Sequence, residues 1–342
     1  MEGINMSNYS IHLKRPDEKL DARVLDVKVG SKEVITPSKT YSVNTQSGIF
    51  EFNQTFSEDL LIRSANEKTS LDGIPKKYNN SEKCINVLLP TYVDSKITDR
   101  ALEYMDNRIH PYTDIVVVPR WDGLMTKNNG TTYLEENWSL TKRYIDEVRR
   151  LNGKLILGNI PMNHPQSVIS VLLDNYIKAG VTSFLLDYER CNTMPKRYIV
   201  RDITKKLEDH TDEKDCYMLY NINMRKSHDY HELKPADDFL SFSNGIDIIG
   251  NYHLPGGSGE RPKYEKVFIS SQWTYEDVKT EPGSGNLIKL ENHKKINNEA
   301  NLVQSAIVES GSAAKLMKGK KGAEEYSFMV NQTALDLGGI SF

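Results

Sequence analysis

Short, nearly continuous apolar runs recur along the middle of the chain: Ile85–Leu89, Asp114–Val118, Lys154–Gly158, Ser183–Leu186, Cys216–Tyr220 and Gly245–Ile249. Runs this short and uninterrupted predict strands buried on both faces, as in a parallel sheet covered by helices. Between them lie stretches with helical spacing. Trp138–Leu151 sets Leu140, Tyr144, Ile145 and Val148 on one face, and Val168–Ala179 aligns Val168, Val171, Leu172, Tyr176 and Ala179, with Gly180 as the stop. The runs follow one another about every 30 to 40 residues, the length of one βα unit in an eightfold barrel. Ahead of them, residues 23–43 alternate apolar and polar positions around Gly30-Ser31 and predict a β-hairpin leading to Thr36-Pro37. Residues 44–83 are polar and yield only fragments such as Leu60-Leu61-Ile62. Near the end, Ile296–Gly311 predicts an amphipathic helix with Ala300, Val303, Ala306 and Ile307 on one stripe. The expectation is an α/β chain: a (β/α)8 TIM-type barrel over residues 1–311, with 22–43 as N-terminal β-hairpin and first strand, then a C-terminal helical extension whose basic tail is 312–342.

Composition narrows the function. The 342 residues suit two modest domains or one large barrel, and the βα period favours the barrel. With 44 Lys plus Arg against 47 Asp plus Glu, the net charge of −3 excludes a protein that coats nucleic acid wholesale. Any such contact is a local patch, and Lys315, Lys318, Lys320 and Lys321 are its candidates, a solvated helix end being the plain alternative. No run approaches 18 apolar residues and the first 15 residues hold no apolar segment, so neither a membrane span nor a secretory signal is expected and the chain reads as cytoplasmic. Cys84, Cys191 and Cys216 are odd in number and widely spaced, which fits reduced thiols. No local zinc footprint occurs, and no metal or cofactor is expected.

In a barrel, reacting groups come from the carboxyl ends of strands and the loops beyond. Those positions hold Thr91, Tyr92 and Asp94; Arg120, Trp121 and Asp122; Asn159; Asp187 and Glu189; Asn221 and Asn223; and Asp247, Asn251, Tyr252 and His253. Carboxylates and amides dominate. Such a set suits recognition of a heterocycle by directional hydrogen bonds, with one carboxylate as nucleophile or base. Each has a structural alternative: Asp94 as a helix cap, Asp122 as a turn residue, His253 as a surface histidine. Asp187 directly follows an apolar strand and Asp247 lies within the run IDIIG, where an unpaired charge would be costly. The stretch Pro255–Gly259 is glycine-rich but lacks the order of a phosphate-binding loop.

The order of segments resembles the tRNA-guanine transglycosylases and their DNA-modifying relatives, the phage and bacterial 7-deazaguanine DNA transglycosylases. Val34-Ile35-Thr36-Pro37 is similar to the family's ETPA-like strand, Asp114-Ile115-Val116 to its DI(V/A)MAFDE strand, and Leu155–Asn159 falls where FGIVQG occurs. Lys234-Pro235-Ala236-Asp237-Asp238-Phe239 followed by Gly245–Ile249 resembles KPDDI…GIDMFD at nearly the same spacing, and the resemblance spans about residues 22–311. It implies a base exchange. A carboxylate attacks C1′ of a guanosine nucleotide, guanine leaves, and a 7-deazaguanine of the preQ0 or preQ1 type replaces it, with DNA as the expected substrate and tRNA as the alternative. Asp247 is then the expected nucleophile and Asp94 the acid/base. Asp122, Asn159 and Asp187 would read the base, Asn221 and His253 would line the site, and Trp121 or Tyr252 would stack on the base. The pattern also departs from the family. Gly250 stands where its nucleophilic Asp falls, Thr45–Phe50 only echoes DSGGFQ, and CxCxxC is absent. These departures keep open a non-catalytic nucleic-acid-binding subunit, a homodimer or a partner subunit, and an unrelated barrel enzyme such as a glycoside hydrolase.

Overall fold

The computed structural model describes residues 8–43, 45, 47–64, 67–79, 81–125, 130–191, 196–211, 216–224, 234–254, 264–279 and 284–327. The alternating N-terminal segment forms antiparallel strands β2 (Arg23–Val29) and β3 (Lys32–Ile35), and β1 (Tyr9–Pro16) pairs along the other edge of β2. Nine further strands, β4 (Ser38–Lys39), β5 (Ile49–Phe56), β6 (Ile85–Tyr92), β7 (Val116–Val117), β8 (Arg120–Trp121), β9 (Ile156–Pro161), β10 (Ser183–Asp187), β11 (Leu219–Ile222) and β12 (Ile248–Ile249), make two sheets. One is parallel in the order β4-β12-β11-β10-β9-β7; the other is parallel in the order β5-β6-β8. Single backbone bridges join Tyr41 to Phe50 and Val87 to Ile115, linking the two sheets.

Alternation along these strands decides what each side chain meets. Ile49, Val87 and Leu89 of one sheet share a core with Leu157, Leu185 and Tyr220 of the other. Leu25, Val27 and Val34 of the N-terminal strands join the same core. Arg23 meets Tyr217 and Asp247, just ahead of β11 and β12, so the N-terminal sheet covers the core at the amino ends of the parallel strands.

The helices are α1 (Glu58–Arg63), α2 (Gly73–Asn79), α3 (Asp99–Tyr104), α4 (Asp122–Met125), α5 (Gly130–Asn152), α6 (Gln166–Lys178), α7 (Arg197–Glu208), α8 (Asp237–Leu240), α9 (Gly285–Ser310) and α10 (Ala314–Met317). Apolar stripes on α5, α6 and α7 cover the outward strand residues, among them Val116, Phe184 and Leu186. In α6 the buried stripe is Val168, Ile169, Leu172, Leu173 and Tyr176, and Val171, expected inside, is exposed. The stop at Gly180 forms as expected: its φ is +71°, its N–H bonds Ile177 O, and Val181 N–H bonds Tyr176 O. This paired closure satisfies the last carbonyls of the helix, and the left-handed φ suits glycine.

The C-terminal third adds α8, the antiparallel pair β13 (Tyr264–Ile269) and β14 (Thr274–Lys279), α9 and α10 around Phe239, Trp273, Ala300 and Val303. Ala313, Met317, Ala323 and Tyr326 are buried in this same core, so residues 312–327 belong to the folded body, while 328–342 lie outside the described residues. Within the KPADDF segment, Asp238 accepts from the Tyr275 hydroxyl at 2.9 Å, while Asp237 is buried with Oδ1 lacking a hydrogen-bond partner. Burial, then the neighbouring Asp238, push Asp237 from 3.8 up to about 7. The folded state therefore holds this proton more tightly than the unfolded chain, and stability falls as pH rises between those two values. Asp237→Asn is expected to flatten that fall in urea unfolding midpoints measured between pH 4 and 7.5.

Candidate functional site

A cavity of about 320 Å³ opens at the carboxyl ends of the parallel strands, within the range of small-ligand pockets, roughly 300 to 1,000 Å³. Its walls include Asn53 and Thr55 of β5, Thr91 of β6, Arg120, Asp122, Asn159, Asp187, Asn223 and His253. The polar residues arise from the same alternation that builds the core. Along β10, Leu185 and Asp187 face one way and Phe184 and Leu186 the other, so the last inward position delivers a carboxylate.

Asp187 is the best-held group there, with 1% exposure. Its Oδ1 accepts from Asn223 Nδ2 at 2.8 Å and from the Glu189 backbone N–H at 3.0 Å, and its Oδ2 lies 3.6 Å from the Arg120 guanidinium. Arg120 in turn grips Asp122 with two bonds, of 2.6 and 2.8 Å. Burial raises Asp187 above the usual carboxylate range, against the pull of Asn223 and Arg120. Glu189 is pushed to about 7, first by burial and then by the charge of Asp187. Asp187, which lines the cavity, and Glu189, two residues on, are thus both raised by burial, and both feel the charge of Arg120.

Backbone strain gathers here as well. Glu189, Arg190 and Asn223 all have positive φ, at +46°, +71° and +56°. Left-handed conformations cost non-glycine residues energy and persist where surrounding contacts over-determine them. Here the contacts are Arg190 N–H to Asn223 O and Asn223 N–H to Asn251 O, at 3.0 and 3.1 Å.

The structure brings only part of the expected set together. Asp122, Asn159, Asp187 and His253 line the cavity. Asp94 borders an adjoining open cavity of about 650 Å³ that shares Val93 and Asp122, and its Oδ2 accepts from Glu58 N–H at 2.7 Å, holding the start of α1. Tyr252 is 42% exposed, with Arg190 6.0 Å above its ring. Trp121 is buried on the helix side, edge-on to Tyr92 and Tyr144 with its indole N–H bonded to Thr141, so its faces are not open to a base. Asn221 points outward from β11, donating to Ser241 Oγ at 2.8 Å and accepting from Gly250 N–H at 3.0 Å.

Asp247 lies at the other end of the strands, which corrects its expected role. Its carboxylate receives Arg23 Nε and Nη2 at 2.9 and 2.7 Å and Leu219 N–H at 2.8 Å. Those donors occupy it in a 1%-exposed site beneath the core, where it anchors the N-terminal sheet. Gly250 has no room for a side chain: a Cβ there would stand 2.1 Å from Asn221 O. Of the basic tail, Lys315, Lys318 and Lys321 are exposed, whereas Lys320 bonds Ser270 O at 2.7 Å and sits over Trp273, an internal tie. The segment starts at the strands' amino-terminal end, where Ser312 bonds Asp17, on the side away from the cavity.

The residue that pattern reading misses altogether is Glu51, on β5. It is 1% exposed and accepts from Thr40 Oγ1 at 3.0 Å, Asn251 N–H at 2.9 Å, the Tyr220 hydroxyl and His253 Nε2. Burial alone would raise it, but His253, Lys39 and Tyr220 outweigh burial and hold it near 2. Its one sequence signal is a carboxylate among apolar residues in IFEF. Among the described residues no cluster of three metal-ligating side chains occurs, and no helix is long and apolar enough to cross a membrane. Comparison of the chain with protein-family models and with curated proteins finds no match.

Proposed function

We propose that the two parallel sheets are parts of one eight-stranded (β/α)8 barrel, with β7 and β8 as a single interrupted strand, and that the cavity at its carboxyl end exchanges a nucleic-acid base. The Tyr41–Phe50 and Val87–Ile115 bridges support closure, because they fall at the two seams between the sheets. The reaction we favour is that of a guanine transglycosylase acting on DNA, replacing guanine by a 7-deazaguanine of the preQ0 or preQ1 type; tRNA is the alternative substrate. The observation that carries this reading is the cavity-lining Asp187 beside Glu189, whose carboxyl is raised to about 7.

In this reading Asp187, not Asp247, attacks C1′. Its Oδ2 is the freer oxygen, 3.6 Å from Arg120, while Oδ1 is fixed by two donors. As the C1′–N bond breaks, its electron pair passes to the departing base, which takes the Glu189 proton; the incoming base returns a proton to Glu189 as it displaces Asp187. Arg120, Asn159 and Asn223 supply directional hydrogen bonds. Because the first half needs protonated Glu189, exchange is expected to decline about tenfold per pH unit above about 7. Glu189→Gln should be slow at every pH and lose that decline.

The test is incorporation of labelled guanine into single- and double-stranded DNA and into tRNA. Exchange into neither would end the enzymatic reading. The engaged Asp247 and the sterically closed Gly250 favour a second one, a nucleic-acid-binding subunit without catalysis. Retention of DNA on the protein with no exchange would support that alternative.

A further inference from the structure

Three polar side chains in the cavity wall are accessible and uncommitted. Asn53 and Thr55 of β5 are exposed, Thr91 of β6 is partly buried, and all three line the cavity. None of these side chains makes a hydrogen bond among the described residues. The rest of the polar wall differs. Arg120 reaches the cavity while bonded to Asp122, Asp187 is held by Asn223 and the Glu189 N–H, and Asn223 also accepts from the His253 N–H. Strand register sets the uncommitted groups in order. Thr55 is level with Thr91 and Thr91 with Arg120, so the three stand in one row at the carboxyl ends of β5, β6 and β8; Asn53 lies two residues earlier on the same face of β5. Neighbouring strands are about 4.8 Å apart, so Thr55 stands roughly two strand spacings from Arg120. The Arg120 guanidinium is 3.6 Å from Asp187 Oδ2, which puts the reacting carboxylate at that end of the row.

We propose that Asn53, Thr55 and Thr91 are the ligand-reading wall of the cavity, hydrogen-bonding the uncharged polar edge of a purine whose sugar bond lies at the Arg120 end of the row, beside Asp187. The proposal rests on the base-exchange reading for the ligand's class, and adds which side chains bind the base and which way it lies. A threonine hydroxyl both donates and accepts, and an asparagine amide does the same through Nδ2 and Oδ1. The wall therefore matches an edge carrying donors and acceptors together, as the O6, N1–H and 2-amino groups of guanine do. An anionic group is disfavoured, because Asp122 and Asp187 line the same cavity. Reading and reaction are thus divided between elements: β5 and β6 hold the base, and the end of β10 attacks the sugar.

Calorimetric titration of the full-length protein with deoxyguanosine tests this. The triple variant Asn53→Ala, Thr55→Val, Thr91→Val should bind it about 10-fold more weakly or worse, each lost neutral hydrogen bond contributing a factor of a few. Its melting temperature should match wild type, because these side chains bond nothing within the protein and valine suits a strand as well as threonine does. Should the triple variant fail to fold, Thr91→Val alone carries the expectation, with a loss of about 2- to 10-fold. In ¹⁵N NMR of the wild type, the Asn53 side-chain amide, assigned with Asn53→Ala, should shift as deoxyguanosine is added. Absence of binding by the wild type, equal binding by wild type and variant, or an unmoved Asn53 amide overturns the proposal. So does a matching loss for 2-deoxyribose, which would put the sugar on this wall. Weakened binding in the variant, with no exchange by the wild type into any nucleic acid, would leave the wall standing and refute the catalytic reading. Exchange that the variant retains at unchanged KM would refute the wall and leave the catalytic reading intact.

Discussion

Replacing Asp187 by asparagine is expected to lower base exchange by about 10³-fold or more while leaving the melting temperature within a few degrees of wild type. Loss of a nucleophile removes a covalent path that the remaining groups cannot replace, and penalties of this order or larger follow. Asparagine keeps the volume at the end of β10 and can still accept from Asn223 and the Glu189 N–H, so the local frame survives. What disappears is the carboxyl oxygen that faces Arg120 at 3.6 Å, the atom proposed to attack C1′. Glu189 is also raised by the charge of Asp187, so any residual activity should show its decline at lower pH than in wild type. Exchange within tenfold of wild type would remove Asp187 from the reaction.

Asp247→Ala should do the reverse: a loss of about 3 to 5 kcal/mol in unfolding free energy, with exchange per folded molecule unchanged. Removing one partner of a buried ion pair strands the other charge, and that stranded charge dominates the cost. Here the stranded group is Arg23, 11% exposed and stacked 3.7 Å over the Tyr217 ring. Leu219 N–H loses its acceptor as well. Urea unfolding and exchange assays on the same preparation separate the two effects. The double variant Arg23→Met, Asp247→Leu, which leaves no charge behind, should recover much of the stability. A stable Asp247→Ala protein without exchange would return the nucleophile to Asp247.

The contrast between these two aspartates shows what was readable in the chain. Both follow or interrupt apolar runs, and in both cases the need for a partner was legible, since burial of an unpaired carboxylate is costly. Which end of a strand each occupies was not. Asp187 closes β10, whereas Asp247 precedes β12, a strand of two residues whose start no local signal marks. A shift of two residues carries a side chain from one end of so short a strand to the other.

The strands β6, β7, β9, β10, β11 and β12, the helices α5 and α6 and the closure at Gly180 follow from local rules, because two-sided burial and a 3.6-residue stripe leave their imprint on every turn of sequence. β5 left none. Its outward residues Phe50, Phe52 and Phe56 are apolar, but its inward ones run Glu51, Asn53 and Thr55, because they face the cavity and a buried charge network rather than oil. β13 and β14 escaped for a related reason: Glu276, Asp277 and Lys279 are exposed, and the strands are identified only by their partner. α9 begins at Gly285, well before its apolar stripe, because its first turns are largely exposed, Leu287 to 71%.

The sequence by itself determined the α/β alternation, the periods of its buried strands and helices, and a concentration of carboxylates and amides at strand ends. Tertiary structure alone decided which of those groups share a cavity. Hydrophobic periodicity is a property of neighbours in the chain, whereas the pairing of Arg120 with Asp187, of Arg23 with Asp247, and of Glu51 with His253 depends on residues 67, 224 and 202 positions apart being brought together.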